Sequence, residues 1–464
     1  MSIVIAILVI SLIIIVHEFG HFIVAKANSV TVLEFSIGFG PKLLHFKKGE
    51  TEYCIKLIPF GGACMMLGED FLENSNADDK YGEKDNDGTG MISDKEVSDI
   101  NNNADTQLKK EYDMSKSLQS KSVWARIAII AAGPLFNFIL AFILAVIIIG
   151  IAGYDPCTVD KVYDDSPAAH AGLMEGDHIT KVNGETIHFE REYSFIRMVN
   201  PSDKLNITYE RNGESFTTTV EPEYRKESAY RVGITILSNC MINSVTKDSP
   251  AAQAGLKKDD IIKSVDGQQI YESGQLTDIL SQTKDKTVEM VISSGGQEKT
   301  VQITPKLYES ESYYTGFVCN GERVKANPQE TIGYGFCEVG YWIKTVVKSL
   351  GMMFTGKVGL NDLSGPVGTV SAISSVVDES KSYGISQMAL TILNWIVMIS
   401  ANLGVMNLLP IPALDGGRLV FLIIEAVRGK PVKKEREGMV HFVGMVLLML
   451  LMVYVMFNDI KGLF

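Results

Sequence analysis

The sequence predicts a multi-pass α-helical membrane protein of about four spans, with a membrane-associated β-hairpin region and a repeated α+β region outside the bilayer. Three observations predict it. Apolar residues gather into blocks long enough to cross a bilayer; short β-like runs joined by Gly and Pro turns follow the first block; and an octapeptide recurs in the middle of the chain. The 464 residues are 46% hydrophobic, yet mean hydropathy is only +0.12, because polar stretches separate the blocks.

The blocks at about 2–25, 127–152 and 438–457 read as spans. A fourth, 387–409, is punctuated by Asn394, Ser400, Asn402 and Asn407, which suits a helix facing protein or a water-filled cavity. In the apolar stretch 334–356, Lys344 and Lys348 share one face, as in an amphipathic helix at the interface. The first block lacks a basic start and a small-x-small cleavage site, so it reads as a retained span. Lys26, Lys42, Lys47 and Lys48 follow the first span, Lys121 and Arg126 precede the second, and Arg418, Arg428, Lys430, Lys433, Lys434 and Arg436 lie between the last two. The positive-inside rule makes these connections cytoplasmic and places both termini and 153–386 outside. A formal net charge of -12 argues against a nucleic-acid partner. The six cysteines, at 54, 64, 157, 240, 319 and 337, lack CxxC spacing and read as small buried residues.

His17-Glu18-Phe19-Gly20-His21 falls inside the first apolar block. Ionisable residues at membrane depth are costly and therefore point to function. On a helix, positions i and i+4 share a face, so His17 and His21 can reach one zinc ion, with Glu18 placed to take a proton from zinc-bound water. Catalytic zinc needs a third protein ligand. Downstream, Asn407-Leu408-Leu409-Pro410-Ile411-Pro412-Ala413-Leu414-Asp415-Gly416-Gly417 presents Asp415 from an irregular segment, because Pro410 and Pro412 break the helix and the glycines let the backbone turn. Charge topology brings Asp415 and the histidines to similar depth. The alternative is that Asp415 only caps the helix that follows.

Ser166-Pro167-Ala168-Ala169-His170-Ala171-Gly172-Leu173 recurs as Ser249-Pro250-Ala251-Ala252-Gln253-Ala254-Gly255-Leu256, and Val182-Asn183-Gly184 returns as Val265-Asp266-Gly267. Each copy reads as a short helix, a strand and a hairpin turn. The pair resembles two PDZ domains, which bind extended peptide segments as an added strand.

Together, HEFGH, the paired repeat and NLLPIPALDGG resemble the site-2 protease family of intramembrane metalloproteases, and among them the bacterial PDZ-containing regulators of σ-factor release. The likeness extends to Gly38-Phe39-Gly40-Pro41, Pro59-Phe60-Gly61-Gly62, Ala132-Gly133-Pro134-Leu135-Phe136-Asn137 and Asp362-Leu363-Ser364-Gly365-Pro366-Val367-Gly368. It implies one Zn2+ on His17, His21 and Asp415, Glu18 as general base, and Asn394, Asn407, Pro410 and Pro412 supporting the site or the unwinding substrate. It also implies that 31–67 is a re-entrant hairpin whose edge holds substrate as a strand. The expected partners are a single-span membrane protein substrate, such as a pre-trimmed anti-σ factor, peptide segments at the PDZ domains, and the lipid bilayer. The expected location is the bacterial cell membrane, with the active site near the cytoplasmic face and the PDZ domains extracytoplasmic.

The domain plan is 1–68, first span with HExxH and hairpin; 69–120, acidic cytoplasmic insert; 121–155, second span; 156–235 and 236–310, the PDZ domains; 311–386, linker and interfacial helix; and 387–464, the last two spans with the LDG motif. The insert departs from the family. Asp85, Asp87, Thr89, Met91, Ser93 and Glu96 sit at EF-hand loop positions with Gly90 at the sharp turn, a pattern for Ca2+, against the plainer reading of a solvated acidic linker. Two rival functions stand beside the protease. One is a membrane-anchored PDZ scaffold or chaperone with a non-catalytic metal site. The other is a metal-ion transporter, which needs polar residues along several spans, whereas the first and third are the ones read as carrying them.

Overall fold

A computed structural model of the chain describes residues 2–69, 113–237, 240–319, 322–359 and 363–463. It divides into two compact units, Met1–Tyr154 with Arg323–Phe464, and Asp155–Glu322.

The longer helices of the first unit are α1 (Ser2–Ala27), α2 (Val123–Ala152), α3 (Pro328–Phe354), α4 (Pro366–Ser380), α5 (Ile385–Leu408), α6 (Asp415–Arg428) and α7 (Lys434–Leu463). Among the described residues four helices are long and apolar enough to cross a membrane: α1, α2, α5 and the Arg436–Lys461 part of α7. Ile and Val dominate α1 despite their modest helix propensity, because in hydrocarbon the helix satisfies every backbone group from within. Ser122 caps α2 by accepting from Ala125 N, and Gly153 ends it at φ +78. The amphipathic stretch expected at 334–356 is most of α3, begun by a capping box in which Asn327 accepts from Gln329 N and Glu330 N. Ala6, Val9 and Ile13 of α1 pack with Ile373 and Val377 of α4 and Ile396 of α5. Asp459 of α7 accepts from Gly365 N (3.1 Å) and Gly368 N (2.8 Å), which explains the Gly365-Pro366-Val367-Gly368 motif as the start of α4 tied to the last span.

The hairpin expected from three short runs is built from two long, bent strands, β1 (Val32–Lys48) and β2 (Thr51–Met66). Near the turn they pair from Lys48↔Thr51 to Lys42↔Lys56, and at the far end from Ile37↔Gly62 to Val32↔Met66. Glu34–Ile37 also face 52–55, so the two strands fold into a sheet of four segments. Glu34, nearly buried, is neutralised by Lys42 (2.9 Å) and Lys56 (2.8 Å).

The second unit holds the repeat as two lobes, each with its own core. In the first, β4 (His178–Val182), β5 (Leu205–Arg211) and β6 (Glu214–Val220) form an antiparallel sheet with the short 185–186 strand; β10 (Ile261–Val265), β11 (Val288–Ser294) and β12 (Gln297–Ile303) repeat it with 268–269. Matching residues do matching work. Ser166 and Ser249 cap the one-turn helices, Asp177 and Asp260 accept from Met174 N and Lys257 N, and Asn183 and Asp266 take positive φ at the hairpins.

The chain path through the lobes differs from two consecutive domains. β3 (Val159–Val162) pairs with β14 (Phe317–Cys319), from the far end of the unit, whereas β8 (Ile234–Ile236) pairs with β9 (Ile242–Val245). Ser166 Oγ donates to Gly316 O, and Ser249 Oγ to Gly233 O, so β14 is to the first lobe what β8 is to the second. A ribbon of β7 (Glu223–Arg231) and β13 (Lys306–Tyr314) carries the chain out and back. Phe317 and Cys319, expected in a linker, therefore sit in the first core, and Val232 and Ile234, expected in the first domain, pack in the second. Strand pairing over such a separation leaves no local signal.

Candidate active site

His17 and His21 lie one turn apart on the buried face of α1. Gly20 between them is required by packing: a Cβ there would sit 2.9 Å from the Phe136 ring and against the Ala132 backbone, so its absence lets α1 and α2 approach closely. Asp415 opens α6, and the residue at its N-cap is Leu414, without a side-chain cap. Its carboxylate reaches the histidines instead, with Oδ2 3.1 Å from His17 Nε2 and 3.4 Å from His21 Nε2. The ion pair of Arg126 with Glu425 ties α6 to α2 behind it.

This cluster fits a metal ion. The two Nε2 atoms are 3.3 Å apart. With the carboxylate they make a triangle of 3.1–3.4 Å sides, and ligands about 2.0–2.1 Å from a tetrahedral zinc are separated by about 3.3 Å. His21 Nδ1 lies 2.9 Å from Ile129 O, a contact that only an Nδ1–H can make, so the Nε2 lone pair is free to coordinate. Asn137, fully buried on α2, meets His17 Nδ1 at 3.1 Å through its amide, while its Oδ1 has no partner. Turning the amide over puts Oδ1 on His17 Nδ1–H and aims that ring's Nε2 at the same point. Gly133 completes the cradle: a Cβ there would lie 2.7 Å from His17 Nε2 and closer still to His21 Nε2.

The cluster opens on a cavity of about 450 Å³ lined by Glu18, Gly62–Met66 of β2, Asn407, Arg418 and His441. Glu18 takes a backbone hydrogen bond from Cys64, and Gly62 admits its side chain, with a Cβ there only 3.1 Å from Glu18 Cγ. Arg418, one turn after Asp415, pairs with Glu69, and their mutual attraction together with Asp415 and Glu437 keeps the guanidinium charged despite burial.

Of the residues expected to support the site, Asn407 lines the cavity. Asn394 does not, because its amide donates to Leu390 O within its own helix (2.9 Å). Pro410 and Pro412 shape the loop before Asp415 and are not on the cavity wall. Asp85, Asp87, Thr89, Met91, Ser93 and Glu96 lie outside the described residues. A second group that could hold a cation, Glu34, Glu52 and Cys54, is already occupied by Lys42, which bridges both carboxylates. Gly133, Asn137, Arg418 and His441 were given no site role from sequence, although Gly133 and Asn137 lie in a motif that carries the family likeness and Arg418 was counted for topology. For His441 the signal was present, since it is an ionisable residue within the fourth span, which was read as carrying none.

The sequence profile of peptidase family M50 matches residues 5–451. The chain belongs to this family, the site-2 proteases. It is 30% identical to the zinc metalloprotease RasP of Geobacillus kaustophilus, over 97% of this chain and 95% of that one. It is 29% identical to the regulator of sigma-W protease RasP of Bacillus subtilis, with the same two coverages, and 31% identical to the probable protease eep of Enterococcus faecalis, over 99% and 98%. This M50 peptidase is a zinc metalloprotease and a bacterial membrane protein. Membership sets aside the scaffold and transporter readings.

Proposed function

We propose that this peptidase cleaves a single-span membrane protein within or near its transmembrane segment, using zinc held by His17, His21 and Asp415 and Glu18 as the general base. The observation that carries the reading is the 3.1–3.4 Å triangle of ligand atoms beside a carboxylate inside an apolar helix. Bound zinc acidifies water and polarises a carbonyl. Glu18 removes the proton from the attacking water and returns it to the leaving amine. Asn137 and the Ile129 carbonyl hold the imidazole tautomers that leave both Nε2 atoms free. Gly62–Met66 of β2 run along the cavity, so substrate unwound from its helix can lie beside them as an extended strand, with its peptide bond open to attack.

The relative named as a regulator of sigma-W protease supports a membrane protein substrate, and the substrate class we propose is an anti-σ factor trimmed beforehand outside the membrane. Charge topology supports an active site near the cytoplasmic face and the Asp155–Glu322 unit outside. In that position the two PDZ-like lobes, with peptide as ligand, act as a size filter on incoming substrates. The test is Glu18→Gln in the full-length protein with a single-span model substrate. Zinc content stays at one per chain and cleavage falls at least about 100-fold; full activity in that variant refutes the assignment.

A further inference from the structure

The loop that presents Asp415 carries strain and is gripped from a helix that takes no part in the metal cluster. Ala413 has φ +77, a left-handed backbone that a residue with a Cβ adopts only when its surroundings enforce it. Its N–H donates to His441 Nδ1 at 2.9 Å. His441 is almost fully buried, and its ring rests against Phe421 of α6, with centroids 5.5 Å apart. One turn on, along the same face of α7, Gly444 lets Pro412 pack on the helix backbone; a Cβ there would be 2.8 Å from Pro412 O. Downstream the loop is equally constrained, since a Cβ on Gly417 would meet Ile411 and Pro412 backbone at 3.0 Å.

We infer that His441 and Gly444 form a clasp on Pro412–Ala413 that positions Asp415 for zinc, making His441 a positioning residue of the fourth span. Asp415 is two residues beyond the gripped peptide, and its Oδ2 must stay within about 0.2 Å of its ideal place for coordination. The acceptor on His441 is the neutral Nδ1, so the ring carries its proton on Nε2. Removing that acceptor takes away the hydrogen bond that holds the Ala413 N–H and lets Ala413 relax from φ +77, which rotates the chain entering Asp415. The inference rests on Asp415 being a zinc ligand.

The test uses the full-length protein in detergent, loaded with zinc and challenged with a chelator, with the zinc release rate as readout alongside kcat and KM on a single-span substrate. His441→Leu should release zinc about 10–100-fold faster and lower kcat with little change in KM. His441→Asn places an amide oxygen near the position of Nδ1 and should hold zinc close to the wild-type rate, whereas His441→Gln, whose oxygen reaches past it, should not. Ala413→Gly added to His441→Leu should recover most of the retention, because glycine occupies positive φ without help. That recovery also separates the clasp from general misfolding. Wild-type release in His441→Leu, or equal losses in His441→Leu and His441→Asn, overturns the proposal. Asp415→Asn is the control. Fast release there with unchanged release in His441→Leu sinks the clasp alone; unchanged release in Asp415→Asn sinks the ligand assignment and the clasp with it.

Discussion

Gly133→Ala is a one-carbon change whose consequence can be worked out from distances. The new Cβ would lie 2.7 Å from His17 Nε2 and 2.6 Å from His21 Cε1, where ordinary contact begins at 3.4 Å. The His17 ring would have to retreat by about 0.7 Å and the His21 ring further, since repulsion rises steeply below van der Waals contact. Zinc sites tolerate about 0.2 Å in ligand distance, so both imidazoles leave coordination range together. Helix propensity opposes this loss: in an exposed helix interior the same change stabilises by about 1 kcal/mol. Gly150→Ala, on the same helix with its nearest neighbour 3.9 Å away, is the control that isolates propensity. The assay is zinc per chain by elemental analysis after dialysis, with cleavage of a single-span substrate. Gly133→Ala should lose at least about 10-fold in zinc affinity and about 100-fold in activity, with Gly150→Ala unaffected. Full zinc and full activity in Gly133→Ala would show that the metal does not sit between these rings and would refute the reasoning.

Asn137→Leu removes the partner of His17 Nδ1 and should weaken zinc retention by about 10-fold, with Asn137→Asp, which keeps an acceptor, losing less; equal retention in Asn137→Leu and wild type counts against the turned amide. In the second unit, Glu192 accepts from His188 N (2.5 Å) and Phe189 N (3.1 Å), and although burial pushes its carboxyl up, these bonds and the His188 side chain hold it below the usual 4.5. A depressed carboxylate contributes stability that is full above its unfolded value and is lost as pH falls through the folded one. Thermal melts should therefore show this unit weakening below pH 4.5, and Glu192→Gln should flatten that slope; an unchanged slope removes Glu192 as its source. Cys157, two residues before β3, and Cys319 of β14 bring their Sγ atoms to 3.2 Å. Diamide, accepting two protons and two electrons, should join them, and peptide mapping that finds both thiols free would contradict the pairing of β14 with β3.

What could be read from the sequence was whatever repeats at short range. The four spans are legible because each must be apolar along its whole length, and the helix α3 because Lys344 and Lys348 mark its polar face. His17, Glu18 and His21 are legible because four residues of helix bring two rings to one side, whatever the rest of the chain does. The repeat is legible because the same turn residues, Asn183-Gly184 and Asp266-Gly267, do the same job twice. Asn394 shows the limit: a polar residue in an apolar helix could face the cavity or bond its own backbone, and it does the latter.

Tertiary structure decided everything that depends on which elements meet. It set the Asp415 carboxylate against the histidines, with α6 tied to α2 by the Arg126 and Glu425 pair and the Ala413 N–H bonded to His441. Gly133 and Asn137 came against the histidine rings only when α2 packed on α1. Likewise β14 entered a core assembled from residues far earlier in the chain, so the second lobe is an insertion within the chain of the first. Spacing along a helix or hairpin is fixed by backbone geometry, so the sequence by itself determined the HExxH pair, the spans and the repeat. Contacts between distant segments depend on side-chain packing and buried hydrogen bonds, and those set the Asp415 carboxylate against two histidines of an apolar helix.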